Sequence, residues 1–522
     1  MRFQMLRVVT IVLSALLIAG CMFYRTDIQQ TDPTKMRTDK PVVIRSPTKA
    51  HLKDGSVALF DKGFTLTNGA LVGEGQQYDL TRSQRTLITS LPMESVAILE
   101  YYDKKLRPLE SSLGTAGAVL ASLPLLKAIF GSCPTVYTLD DGHHSLEAEL
   151  FSHSIARRLE GRDLDRLEGG APQNGEFSLR ITNEALETHY INQLSLVAVD
   201  HAPGQEVFPT PDRQFAFFGT AAPLTEARSK TGRDVRLAVA RRDSQWYASD
   251  PALITALAKG KIDDWIDVAV QAPPGARTMT VALRARNTLL TTVLLYDVAL
   301  RSQGVRALDW MGADLGNPLA AWRLHRWFSE NFSIRVERRD GDSTHDVARI
   351  DPTGPIAWHQ VAQRIPVHAG DNVHLRFSFL PDNWVIDWIG VSFDAAEAQR
   401  AEEIAPGALS CARIGQRANA ADLGKRDKAY LITSPGDHCM VKFAVGPPPG
   451  AMQRNYFLRS RGFYIEWLRE EWLAESLRNP NGEKFEPNDA TIVRTAQRWL
   501  SEKPALEAQF FNTRIPLAGE LR

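Results

Sequence analysis

The feature that most restricts the fold is the recurrence of glycine-containing turn dipeptides between short apolar runs. Asp54-Gly55, Lys62-Gly63 and Asn68-Gly69 punctuate the segments Val57-Ala58-Leu59-Phe60 and Phe64-Thr65-Leu66. Such pairs supply the positive φ angles of tight hairpin turns. Tyr78-Asp79-Leu80 and Thr86-Leu87-Ile88 continue the series, so a small antiparallel β meander is expected over residues 46–104. The pattern resumes at residue 133. There Thr135-Val136-Tyr137-Thr138-Leu139 runs into Asp140-Asp141-Gly142, and Leu146, Ala148 and Leu150 then alternate with polar residues. Further strands are expected at 178–181 and 194–199, and a short helical or irregular excursion at 157–167. Together they make a sandwich-like β domain over 133–264.

All eleven tryptophans lie between Trp246 and Trp499, a shift that places a change of domain near 230–270. Beyond it, residues 278–283, 293–296, 373–377 and 386–391 have β character, and 320–328 reads as helical. The stretch 374–394, HLRFSFLPDNWVIDWIGVSFD, resembles the closing strands of a galactose-binding-like jelly roll, a resemblance covering roughly 265–395. It implies a β-sandwich there and leaves the ligand undetermined, because such modules bind sugars, proteins or nothing known. Gly370-Asp371-Asn372-Val373 is echoed by Gly436-Asp437-His438-Cys439, each a turn feeding an alternating strand. Residues 396–522 are expected to combine β strands with a C-terminal helical region. In that region Phe463, Tyr464, Trp467, Leu468, Trp472 and Leu473 recur at helical spacing, and a second amphipathic helix spans 490–500. The fold class is therefore mainly β and multidomain, with meander, sandwich and jelly-roll parts, an apolar helix near 113–130 and C-terminal amphipathic helices.

At the start, Arg2 and Arg7 flank an apolar run over 8–18 that ends in Ala19-Gly20-Cys21, the order of a secretory signal peptide over 1–20. Leu17-Ile18-Ala19-Gly20-Cys21 resembles the bacterial lipobox. The resemblance implies that Cys21 carries diacylglycerol and an acyl chain such as palmitate, the protein's only expected covalent group, with no other cofactor. Several chains anchor durably where one does not, and resemblance to enterobacterial lipoproteins implies the outer membrane, since Met22 stands where Asp would otherwise retain the protein. Residues 21–45 are polar and read as a flexible tether. Residues 105–132 contain an apolar stretch at 113–130 that as a helix would extend about 27 Å, just short of a bilayer core. A buried or interdomain helix, a membrane-dipping segment and a span remain open for it.

Lysine and arginine number 61 against 61 acidic residues, so no global field would recruit nucleic acid. After Cys21 the chain holds Cys133, Cys411 and Cys439. Cys411 and Cys439 are either a disulfide, worth roughly 3 to 4 kcal/mol on the chain-entropy model, or two buried thiols. The densest set of potential metal ligands is Asp140, Asp141, His143, His144, Glu147 and Glu149, with Asp141, His143 and His144 as the metal candidates. An Asp-Gly hairpin tip explains the same residues without metal. Glu466, Glu470 and Glu471 could pair carboxylates on the aromatic helix, although Arg461 and Arg469 would neutralise them. Trp384, Trp388, Asp382 and Asp387 would suit a sugar if Trp384, Ile386 and Trp388 share an open face, since an aromatic ring stacks on a pyranose and carboxylates accept its hydroxyls. No GxSxG elbow, Walker loop, HExxH helix or dinucleotide fingerprint is present. The expectation is a lipid-anchored envelope protein, noncatalytic, that binds or scaffolds another envelope component. A glycan-binding surface module and a metal-dependent hydrolase are the alternatives.

Overall fold

The computed structural model describes residues 24–31, 41–46, 48–52, 56–60, 62–78, 85–106, 133–140, 143–185, 187–307, 310–341, 343–393, 401–411, 420–427, 429–433, 436–466 and 484–509. The signal peptide, Cys21, the 113–130 stretch, Asp141, Glu470 and Glu471 lie outside them. The described chain is mainly β, built from several antiparallel sheets, and no described helix is long and apolar enough to cross a membrane.

The N-terminal unit is one eight-stranded sheet. Its order is Tyr24–Thr31, Val96–Leu106, Thr48–Leu52, Val57–Phe60, Ala70–Tyr78, Phe64–Thr67 and Val42–Ile44, with Arg85–Pro92 also on Ala70–Tyr78. Asn68 and Gly69 take positive φ at the turn joining Phe64–Thr67 to Ala70–Tyr78, as the dipeptide demands. Ala50, Phe60, Phe64, Leu66, Leu71 and Leu99 form its core. The tether expected over 21–45 is corrected here: Tyr24–Thr31 pairs with Val96–Leu106, and Val42–Ile44 with Phe64–Thr67. Pairing uses backbone donors and acceptors, which a polar sequence supplies as fully as an apolar one.

The larger unit contains two sandwiches, one inserted in the other. In the outer sandwich one sheet runs His143–Glu149, Thr135–Asp140, Glu176–Thr182, His438–Ala444, Ala408–Cys411. The other runs Gly161–Leu167, Gln453–Glu466, Glu187–His201, Ala401–Ile404, with Leu431–Thr433 also on Glu187–His201. Their buried faces meet at contacts such as Phe177 against Tyr456, with ring centroids 4.7 Å apart. The regions expected as separate over 133–264 and 396–522 thus share sheets, because strands more than 200 residues apart supply each other's partners. The segment 157–167, expected as helical or irregular, is mostly the strand Gly161–Leu167, and Phe463 and Tyr464 sit in the strand Gln453–Glu466 rather than on a helix.

The inserted sandwich pairs a five-stranded sheet (Glu226–Ser229, Asp264–Gln271, Asn372–Phe379, Ile334–Asp340, Ser343–Ile350) with a three-stranded one (His359–Pro366, Thr278–Asn287, Trp384–Ser392). Ile266, Val268, Leu283, Phe377, Trp384 and Ile389 belong to its continuous core. Residues 293–296, expected as a strand, are helical, within Leu290–Val293 and Leu294–Leu300. A short apolar run is ambiguous between strand and helix, and here packing against the C-terminal helix Asp489–Gln509 decides it. The helix expected at 320–328 is Pro318–Phe332, capped by the Asn317 side chain accepting from the Leu319 amide at 2.9 Å, with proline in its first turn.

A hairpin, Glu206–Pro209 with Phe215–Phe218, wedges the two sandwiches together. Period-two alternation sends Phe208 and Phe218 against Trp388, Ala282 and Ala362 of the inserted sandwich. Val207, Phe215 and Phe217 face Leu164, Val197, Val199 and Phe457 of the outer one. At one edge of the outer sandwich Cys411 and Cys439 are opposed across their strands and bonded, while Cys133 is buried with its thiol donating to Glu149 Oε1 at 3.6 Å. The bond closes a 28-residue separation, so a Cys411→Ala/Cys439→Ala variant is expected to lose about 3 kcal/mol of unfolding free energy. Urea denaturation of the two proteins would measure it.

A polar cleft between two sandwiches as the candidate site

The tryptophan and aspartate residues expected to hold a glycan do not form a surface. Trp384 and Asp387 are fully buried, and Asp382 and Trp388 nearly so. A one-residue bulge explains why the expected common face fails: Ile386 opposes Ala285 and Trp388 opposes Arg284, leaving Asp387 as the extra residue. A bulge reverses the alternation beyond it. Trp384 and Ile386 therefore face the inner core, whereas Trp388 turns outward under Phe208, Phe218 and the Arg242 guanidinium. The aspartates are occupied internally. Asp387 accepts from Arg284 Nη1 at 2.5 Å and the Ser244 amide at 2.9 Å. Asp382 accepts from Trp499 Nε1 at 2.6 Å and Lys503 Nζ at 2.7 Å, fastening the C-terminal helix.

Of the residues expected to gather around a metal, His144, Glu147 and Glu149 each have separate partners. His144 is exposed, 3.4 Å from an Arg180 guanidinium nitrogen. Glu147 is buried and accepts from Thr138 Oγ1 at 2.7 Å and the amides of Glu168 and Gly169 at 2.6 and 3.0 Å. Glu149 accepts from the amides of Ile356 and Ala357 at 2.6 and 2.8 Å. Among the described residues no group of three His, Cys, Asp or Glu side chains is placed to hold a metal ion. Glu466 is buried at the end of its strand, near His189, whose imidazole is pushed down to about 3 by burial, against the opposing charges of Glu466 and Asp437.

The structure instead opens a cleft of about 520 Å³ where the two sandwiches meet, within the size range of ligand sites. From the outer sandwich, Gly161–Leu167 contributes Asp163 and Asp165. Alternation puts them on the face opposite Leu164, which is committed to the hairpin cluster. From the inserted sandwich come His359, Asp351, Arg349 and the helix Pro318–Phe332, with Trp322 and His325. The hairpin turn adds Arg213, at positive φ. The wall is held by Glu149, because the loop after Ile350 runs its backbone directly over that carboxylate. A Cβ at Gly354 would lie 2.0 Å from the Glu149 carboxyl carbon, so only glycine allows this approach.

Within the cleft, His359 Nδ1 lies 3.7 Å from Asp165 Oδ1, and the Phe151 amide donates to Asp163. Burial, followed by the nearby Asp165 charge, pushes the Asp163 carboxyl up to about 7, against the pull of the Phe151 amide, His359 and Arg213. Burial likewise raises Glu149 to about 7 despite its two amide donors. On the far wall burial lowers His153 to about 4, opposed by Asp351, and its ring packs 4.6 Å from that of Phe328. Asp351 accepts from the hydroxyls of Ser329 and Ser333 at 2.7 and 2.8 Å. At neutral pH the cleft thus offers carboxyl groups near their titration point, an uncharged imidazole, guanidinium donors and the half-exposed Trp322 ring.

Sequence reasoning missed these residues. The signal was present in Arg162-Asp163-Leu164-Asp165-Arg166, a period-two run that marks a strand with two carboxylates on one face.

No family model matches the chain, and no curated protein matches it. Among solved structures, the chain is similar to a carbohydrate-binding module of a Cellvibrio mixtus lichenase in complex with cellotriose, at 8% identity over 38% of this chain and 97% of that one, with a TM-score of 0.15. It is also similar to an allantoicase, at 11% identity over 53% and 98%, with a TM-score of 0.17. A third is an exo-β-1,3-galactanase from Phanerochaete chrysosporium with β-1,3-galactotriose, at 9% identity over 67% and 82%, with a TM-score of 0.18. Scores this low carry neither a fold nor a ligand from those proteins to this chain.

The raised Asp163 has a consequence for stability. Its folded-state proton affinity exceeds the ordinary value of 3.8, so the stabilisation from the protonated form is complete below about 4 and is lost as pH rises through about 7. Relative to Asp163→Asn, the unmodified protein is expected to lose up to roughly 4 kcal/mol between pH 4 and pH 8. Parallel pH series of urea midpoints would read the difference.

Proposed function

We propose that this chain is a lipid-anchored protein of the bacterial envelope that binds a polyhydroxylated ligand, a glycan, in the cleft between its two sandwiches. The observation that carries the reading is the cleft lining. Asp163, Asp165 and Asp351 line it with carboxyl oxygens able to accept from sugar hydroxyls, Arg213 with donors, and Trp322 with an accessible ring that suits the apolar face of a sugar. Two sandwiches fixed by the wedge hairpin hold these groups in a preformed arrangement, which lowers the ordering cost of binding. Binding to glycan arrays and calorimetry is expected to reveal a ligand whose affinity falls at least about tenfold in Arg213→Ala and in Trp322→Ala, the loss of one good interaction. Their thermal midpoints should stay near that of the parent. Unchanged affinity in both variants would refute the cleft as the site.

The anchor in this reading rests on Arg2, Arg7, the apolar run and Ala19-Gly20-Cys21, with diacylglycerol and an acyl chain on Cys21 holding the protein at the outer membrane beside other envelope components. Cys21→Ala is expected to move the protein from the membrane fraction to the soluble or precursor pool and to remove the lipid mass from its N-terminal peptide. A protein that stays membrane-bound without that mass in either form would refute lipidation.

A second reading, hydrolysis of the bound ligand, is favoured by Asp163, which holds a proton near neutrality beside Asp165 and so suits acid–base work. Product analysis of the bound glycan separates the two readings.

A further inference from the structure

The cleft does not end at its polar wall. Behind Ser152, His153, Leu159, His325 and Thr353, which line both spaces, lies an apolar recess of about 80 Å³. Its other walls include Leu294, Leu295, Ala299, Trp310, Trp327 and Phe328. The helix Pro318–Phe332 forms one side, and the helical segment that follows Thr278–Asn287 forms another. His153 stands between the two spaces with its ring on Phe328. Held uncharged by its surroundings, the imidazole presents an apolar face to the recess. A 150 Å³ cavity with such a lining stays dry and takes benzene, so the smaller recess suits about three carbon atoms.

We propose that this recess is a second subsite of the cleft and receives a compact alkyl or acyl group carried by the ligand, whose polar part lies among Asp163, Asp165 and Arg213. This rests on the glycan reading for the polar part and goes beyond it in assigning the ligand class, an acylated or alkylated glycan. The shared lining residues put the two spaces side by side, so the two parts of such a ligand would be neighbours in one molecule. The volume requires the apolar part to be short, as in an ester-linked acyl substituent, or to be the first carbons of a longer lipid tail.

The first arm of the test needs no sugar. The full chain is titrated with the straight-chain alcohols from methanol to 1-hexanol while the indole N–H signals of Trp310 and Trp327 are followed by NMR. Saturable shifts are expected, with affinity rising about fourfold per methylene up to three or four carbons. Leu295→Trp, or the milder Thr291→Leu should the first not fold, is expected to abolish or weaken the shifts. Absence of saturable shifts, or shifts unchanged in a folded filling variant, overturns the recess. The second arm compares methyl, propyl and octyl β-glucosides and acetylated against unacetylated cello-oligosaccharides. A gain from methyl to propyl that levels off indicates a short substituent, and continued gain to octyl indicates a lipid tail. Either gain, lost in the filling variant, supports the subsite. Alcohols that bind while no glycoside gains over the free alcohol would overturn the two-part ligand, whereas the glycan reading itself falls only on unchanged affinity in Arg213→Ala and Trp322→Ala. Glycosides that bind with no dependence on the alkyl group would overturn the recess alone.

Discussion

The structure depends on one long strand pairing. Glu187–His201 lies antiparallel to Gln453–Glu466 from the pair Glu187 and Glu466 to the pair His201 and Gln453. Nearly every position of Glu187–His201 is buried, so neither strand is stable as an open edge. The ladder closes a loop of roughly 250 residues, whose entropy cost grows only slowly with length. The inserted sandwich fills most of that loop with its own core, which turns a floppy connection into a rigid one. Once the ladder forms, the two sandwiches are held side by side, and the wedge hairpin packs one face into each.

Bulges turn this scaffold into one that can hold buried charge. At Glu147, Asn192 and Asp387 one strand carries an extra residue, and in each case its polar side chain ties a neighbouring loop to the sheet. Glu147 takes the amides of Glu168 and Gly169, Asn192 donates to the carbonyls of Asp427 and Ala429, and Asp387 takes the Ser244 amide and Arg284. Each of these groups would be costly to bury alone and is stabilising when paired. The carboxylates that look available in the chain are therefore largely consumed inside the fold. Asp163, Asp165 and Asp351 instead line the cleft where the two sandwiches meet.

That seam explains the chemistry of the cleft. Asp163 and Asp165 emerge from the outer sandwich, while His359, Asp351 and Trp322 come from the inserted one. Glu149 ties the two together by accepting the amides of Ile356 and Ala357 across the join. Low polarity on the buried side raises Asp163 and lowers His153, so the same enclosure that forms the cleft also tunes its protonation.

Much of the architecture was legible in the sequence because its signals are local. Positive φ at Asn68-Gly69, β character over 135–139 and 386–391, and the periodic helix around 320–328 each follow from neighbouring residues alone, as does the mainly β, multidomain class. The opposed cysteines could be read as a pair, although only the strand register bonded Cys411 to Cys439. Tertiary structure decided what depends on distant partners. It joined residues 133–201 to 401–466 in common sheets, made a helix of 293–296, and turned Trp388 away from Trp384 through a single extra residue. It also placed Asp163 and Asp165 opposite a histidine almost 200 positions away. The physical reason is that alternation reports which side of a strand a residue occupies, whereas a ligand site requires knowing what lies across from that side.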